Sequence, residues 1–375
     1  MKKKVVYWAP IISNIATKKA VINSAFSLTK FSRNYKVTLL NVCGEFSDLK
    51  ISKQNINIFN LDQKIIELKL SGVGYLKSRL FHIFIFLKSF FPLIKFLKKE
   101  APDYIIIHML TSLPLLIFLF LNIKTKCILR ISGLPKLNFL RRSLWKISSK
   151  KIYKVTCPTE LTKKKLENLN IFKSSQLTTL YDPIFTNKDL KKRHKHTNYK
   201  EKFLLSAGRL TRQKNFTLLI EAFDKFKLID TNLYIAGEGE EKNKLLNLIN
   251  KKNLSDKIKL IGYRSDLIEL MNKCECFILT SKWEDPGFVL IEAAIARATI
   301  ISSDSENGPK EILNNEKNGF LFKNDSLSDL IDTFNRYKIT SSQSLYQKKI
   351  DGLKNAKNFS IISHYKKLNA ILKSN

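Results

Sequence analysis

The chain has 375 residues, more than one hydrophobic core usually organises, so two domains are expected. An apolar fraction of 44% and a charged fraction of 26% exclude disorder as the reading of the whole. Lys and Arg number 66 against 32 Asp and Glu, a formal net charge of +34. That surplus favours nucleic acid, an anionic membrane face or phosphorylated substrates as partners, or else reflects a Lys-, Asn- and Ile-rich composition.

In chain order, the basic residues at positions 2–4 precede an apolar stretch too short for a signal peptide, which reads as a first strand, Lys4–Trp8. Further strand-like runs are Lys36–Leu40, Ile56–Asn60, Tyr104–His108, Cys127–Ile131 and Ile152–Thr156, with helical patterns at Lys18–Phe31 and Tyr75–Glu100 among them. Continuous apolar strands alternating with helices indicate a parallel sheet covered on both faces. Tyr104–Ile123 is nearly all apolar and long enough to span a bilayer. His108, Thr111, Ser112 and Pro114 interrupt it, so a strand, a turn and a helix from about Pro114 are expected instead. Residues 186–202 then form a basic, exposed linker.

After the linker the rhythm restarts with strands Phe203–Ala207, Asn232–Ala236, Ile258–Ile261, Cys276–Thr280 and Thr299–Ser302, separated by helices. Two doubly wound sheets in succession predict two domains facing a central cleft, with ligands at the carboxyl ends of the strands. The five cysteines (43, 127, 157, 274, 276) are odd in number and widely spaced, which gives no disulfide framework. Cys274 and Cys276 lack the second ligand pair of a zinc site, so no metal is predicted.

The densest chemical signal is Ser281-Lys-Trp-Glu-Asp-Pro-Gly-Phe-Val-Leu-Ile-Glu292. A strand ends, a Pro-Gly loop follows, and a helix begins near Val289, offering backbone N–H groups to a polar or anionic ligand. Glu284 precedes that helix and Glu292 lies inside it, so the two carboxylates approach one ligand at two places. A second signal, Gly208-Arg-Leu-Thr-Arg-Gln-Lys-Asn215, follows the first strand of the second half. Gly208 permits close approach, and Arg209 and Lys214 can converge on one anion.

This arrangement resembles the retaining GT-B glycosyltransferases of family GT4, most specifically over residues 203–322. The family's E-x7-E motif matches Glu284 and Glu292, and its basic pair in the form G-R-L-x-x-x-K-N matches Gly208 to Asn215. Ala236-Gly-Glu-Gly239, Ile261-Gly-Tyr263, Gly308-Pro-Lys-Glu-Ile312 and Asn318-Gly-Phe-Leu321 match as well. The resemblance implies an α/β chain of two Rossmann-like domains: an acceptor-binding domain over 1–185, a donor-binding domain over 203–355, and a last helix, 356–375, crossing back to the first.

It also implies residue roles. Arg209 and Lys214 would hold the donor diphosphate, Glu292 the ribose hydroxyls, and Tyr263 with Arg264 the base. Glu284 with Gly287, Phe288 and Val289 would face the donor sugar. In the first domain His108 would stand near the transferred sugar, and Arg130 near the cleft. Many relatives carry a paired-glycine loop after the first strand; here Ala9–Thr17 has none, and Asn14 and Thr17 are the substitute side-chain donors on the acceptor side.

The chemistry agrees with this assignment. A departing nucleoside diphosphate must be stabilised by a divalent cation or by fixed cationic side chains. No Asp-x-Asp pair occurs in the chain, so the task falls to Arg209 and Lys214, with no cofactor beyond a UDP- or GDP-linked sugar as substrate. The aromatic and basic segment Tyr75–Phe91 and the cluster Lys136, Arg141, Arg142 and Lys146 suit an anionic membrane surface and a polyprenyl-diphosphate-linked glycan acceptor. Expected is peripheral attachment at the inner face of the cytoplasmic membrane, in lipopolysaccharide, O-antigen or capsule assembly. A sugar-nucleotide 2-epimerase of the same fold needs further acid/base groups near the sugar, and none is identified. A nucleic-acid-binding protein needs a reader motif or aromatic platform, and the linker shows neither.

Overall fold

The computed structural model describes residues 1–11, 16–47, 49, 55–62, 75–133, 137–192 and 201–374. The chain divides into two compact units, residues 1–183 with 361–375, and residues 184–360.

The first unit is built on β1 (Lys3–Trp8), α1 (Ala16–Phe31), β2 (Tyr35–Asn41), β3 (Ile56–Asn60), α2 (Tyr75–Glu100), β4 (Tyr104–Ile107), α3 (Ser112–Phe120), β5 (Lys126–Arg130), α4 (Phe139–Ser148), β6 (Ile152–Cys157), α5 (Glu160–Asn168) and β7 (Leu177–Thr179). Its seven parallel strands run in the order β3-β2-β1-β4-β5-β6-β7. Successive strand residues point to opposite faces, and here both faces are apolar. Val5 and Tyr7 join Val21, Ala25 and Leu28 of α1 on one side. Val6 and Trp8 join Ile85, Leu93 and Leu115 from α2 and α3 on the other. The helix Ile361–Lys373 completes this unit, with Leu368, Ile371 and Leu372 in the α1-side core. The apolar stretch 104–123 is split between β4 and α3, as its interrupting polar residues predict.

The second unit holds α6 (Asn187–Lys192), β8 (Phe203–Ala207), α7 (Phe216–Lys225), β9 (Asn232–Ala236), α8 (Lys242–Lys251), β10 (Ile258–Gly262), α9 (Leu267–Lys273), β11 (Cys276–Leu279), α10 (Phe288–Ile295), β12 (Ile300–Ser303), α11 (Pro309–Ile312), β13 (Phe320–Phe322), α12 (Leu327–Ile339) and α13 (Ser342–Ala356). Six parallel strands run β10-β9-β8-β11-β12-β13, with Leu204, Leu233, Ile278 and Ile301 buried against Phe216, Phe223, Leu330 and Phe334. Of the basic segment 186–202, α6 belongs to this unit, and residues 193–200 lie outside the described residues.

Candidate functional site

In the second unit the strand order reverses between β8 and β11, where open α/β sheets place their ligands. The two motif segments emerge from those two strands. After β8 the backbone passes so near its neighbours that side chains are excluded: a Cβ on Gly237 would lie 1.8 Å from Gly208 O. Gly208 N donates to Ala236 O at 2.9 Å, Gly237 N to Gly262 O at 2.8 Å, and Leu210 N to Glu238 O at 2.9 Å. These bonds lace the ends of β8, β9 and β10 together. The segment then turns, and Asn215, left-handed at φ 52°, starts α7. That turn brings Lys214 back over Gly208, where a Cβ would meet its side-chain carbons at 3.1 Å.

From β11, the loop returns at Gly287, whose φ of 92° suits glycine and which leads into α10. Gly308 lies against it so tightly that a Cβ would meet Pro286 O at 1.7 Å. Glu284 is buried in this loop. Lys214 Nζ donates to Glu284 Oε1 at 2.5 Å, with side-chain exposures of 13% and 6%. The two motifs are thus physically one site.

Bracing comes from residues the sequence did not single out. Asp325 accepts from Asn215 Nδ2 at 2.9 Å and pairs with Lys282 at 2.7 Å, joining both loops to the segment after β13. Nothing in its local sequence marks it, because its partners lie far away in the chain. Thr280 Oγ1 lies 3.0 Å from Lys214 O and holds the same turn from β11.

The other expected residues fall around this pair. Arg209 and Tyr263 are exposed, and Phe288, Val289 and Glu292 are half-buried on α10. Arg264 is held by Asp266, Nε to Oδ1 at 2.8 Å and Nη2 to Oδ2 at 2.6 Å, and this pairing keeps the Asp266 carboxyl below its usual range.

In the first unit, His108 follows β4 and is buried, its ring 6.0 Å from that of Tyr7. Burial, then the charge of Arg130 and the nearby His364, hold its pKa well below the ordinary imidazole range, so it is neutral. Its Nε2 is buried without a hydrogen-bond partner. Arg130 is buried in an ion pair with Asp182 at 2.6 Å and donates to Leu180 O at 2.7 Å. Its guanidinium fastens the end of β5 to the segment after β7. Thr17 lies half-buried in the first turn of α1, and Asn14 is outside the described residues.

Residues 187–349 match the family of glycosyl transferases group 1. An N-acetylgalactosaminyltransferase of Campylobacter jejuni, named for an N-acetylgalactosamine-N,N'-diacetylbacillosaminyl-diphospho-undecaprenol substrate, is 38% identical over 34% of this chain and 34% of its own length. The chain therefore aligns with about a third of that relative. An uncharacterized glycosyltransferase of Methanocaldococcus jannaschii is 29% identical over 81% of this chain and 76% of its own. Among solved structures, Anabaena HepE in complex with UDP superposes over 100% of each chain, with a TM-score of 0.73 at 14% identity. The fold is GT-B, and residues 187–349 are similar to the glycosyl transferases group 1 family.

Proposed function

We propose that the protein transfers a hexose-type sugar, with retention and without a metal, from a UDP- or GDP-linked donor to a lipid-linked glycan acceptor. The observation that carries this reading is the Lys214–Glu284 pair at the β8/β11 reversal. Lys214 is a fixed, nearly buried cation in a water-poor place, where it acts more strongly on developing charge than in bulk water. In the reaction the bond from the sugar's anomeric carbon to the diphosphate breaks, and the electron pair leaves with the diphosphate. The acceptor hydroxyl forms the new bond and passes its proton to the departing diphosphate. Lys214 and Arg209 take up the growing negative charge, and Glu284 sets the position of Lys214. Glu292 on α10 is assigned to the ribose, as its motif implies.

The first unit takes the acceptor, with attachment to the inner face of the cytoplasmic membrane. Among the described residues, one helix, α2 from Leu80 to Glu100, is long and apolar enough to cross a bilayer, and a third of it is buried. Its Leu80, Ile83, Leu87 and Phe91 are exposed and recur on one face, beside exposed Lys88 and Lys95. A helix partly buried in a sheet's flank and apolar outward suits an interface more than a span. The lipid-linked acceptor is supported by the name of the Campylobacter relative.

Differential scanning fluorimetry across UDP- and GDP-sugars tests the donor assignment, since a matching donor raises the melting temperature by mass action. No shift with any activated sugar removes it.

A further inference from the structure

The first unit contains a cavity of about 610 Å³ beyond the ends of β4 and β5, lined by His82, His108, Asn138, Arg141 and Trp145 among others. Among the described residues no Asp or Glu lines it. Its one buried lining cation, Arg130, is already neutralised by Asp182, whereas Arg141 is exposed. The N-terminus of α4 opens on it: the Asn138 side chain accepts from Arg141 N at 2.9 Å. The first-turn amides of Phe139 and Leu140 have no acceptor within the helix.

Two further groups point to a ligand. Trp145 is 2% exposed and His108 7%, and Trp145 Nε1 and His108 Nε2 both lack a hydrogen-bond partner. An indole N–H can only donate, and a buried donor left unmade is costly. Donors, a helix N-terminus, a guanidinium and no carboxylate make an environment for an anion. Around it the surface is apolar: Phe139 and Leu140 on α4 and Ile83 on α2 are exposed.

We propose that this cavity binds the diphosphate of an isoprenoid lipid diphosphate, with Arg141, the α4 amides and Trp145 Nε1 as its donors and the exposed apolar side chains against the lipid chain. The inference rests on the lipid-linked acceptor reading and names the residues that recognise it. It is independent of the donor assignment.

Isothermal titration of the full chain with farnesyl diphosphate, inorganic pyrophosphate and farnesol tests it without any nucleotide sugar. Farnesyl diphosphate is expected to bind most tightly. Its Kd should rise at least about tenfold in Arg141→Glu and about threefold in Trp145→Phe, which keeps the ring and deletes the donor. Lys214→Ala, in the other unit, should leave it unchanged. Wild-type affinity in both first-unit variants, or a loss confined to Lys214→Ala, overturns the site. Inorganic pyrophosphate binding as tightly as farnesyl diphosphate overturns the lipid assignment, and farnesol binding equally well overturns the diphosphate. Failure of the donor reading would instead appear as absent nucleotide-sugar binding with this titration intact.

Discussion

Lys214 and Glu284, 70 positions apart in sequence, hold each other at 2.5 Å with both side chains largely buried. Each therefore depends on the other. Lys214→Ala leaves a buried carboxylate without its cation, and loss of one partner of a buried pair costs about 3 kcal/mol or more. Lys214→Ala should lower Tm, and adding Glu284→Gln should restore part of the loss. The same lysine is assigned to the leaving diphosphate, so Lys214→Ala and Arg209→Ala should each lower transfer by about 10²-fold or more. Arg209 is exposed, so its variant should keep wild-type Tm. Steady-state transfer assays with thermal melts separate the two effects, and wild-type kinetics in both variants would remove the cationic-stabilisation account.

Gly237 tests the backbone lacing behind that pair. A methyl group there would stand 1.8 Å from Gly208 O, a backbone atom that cannot rotate away. Gly237→Ala must push the β8 and β9 ends apart, at about 2 kcal/mol or more. Lower Tm together with weaker nucleotide-sugar binding is expected, although Gly237 bears no functional group. Gly352→Ala is the control, since its Cβ would meet ordinary contacts of 3.6 Å and beyond. An unchanged Gly237→Ala protein would show that the loop junction is less tightly built.

Much of this was legible because it depends on periodicity and local chemistry. Buried parallel strands read as continuous apolar runs, so β1 and β8 could be placed within a residue or so. The motif segments 208–215 and 281–292 lie each within a dozen residues, and the topology brought them together. What escaped depends on distant partners. β7 and β13 have three residues each, too few to show a period. Asp325 became visible only through Asn215 and Lys282, and the buried partner of Arg130, Asp182, lies 52 positions later.

A buried relay ties the last helix to the first unit and predicts an acid response. His364 Nδ1 lies 2.7 Å from Tyr181 O, which can only accept, so Nδ1 carries the proton. Nε2 then accepts from Ser24 Oγ at 2.7 Å, and Ser24 accepts from Tyr7 OH at 2.9 Å. Burial holds the pKa of His364 down to about 3, against 6.5 for a free imidazole. The unfolded chain therefore binds a proton there between pH 6.5 and 3 that the folded chain does not, and stability falls as pH drops through that window. Glu45 opposes this in part: burial raises its carboxyl to about 7, so stability falls as pH rises from 4.5 to 7. The effect of His364 is isolated by comparison with His364→Gln. The stability difference between wild type and variant, from urea melts, should shrink by about 1.4 kcal/mol for each pH unit from 6 down to 4. A difference independent of pH would mean that His364 is protonated in the folded protein.

The exposed stripe on α2 supplies the last prediction. Leu87 and Phe91 are 65% and 76% exposed, so replacing them removes outward apolar surface and leaves the core intact. If the helix lies in a membrane interface, binding combines apolar burial with attraction of lysines to anionic headgroups. Wild-type protein should float with vesicles containing anionic lipid at low salt and less so at high salt, because exposed charges are screened. Leu87→Asp with Phe91→Asp should reduce flotation at every salt concentration, since each loses about 2 kcal/mol of apolar contact and adds a repelled charge. Lys88→Glu with Lys95→Glu should reduce it chiefly at low salt. The two responses differ because one removes a short-range contact and the other a screened field. Wild-type protein that stays unbound at low salt would leave the stripe without a membrane role, and the donor site of the second unit would be unaffected by that result.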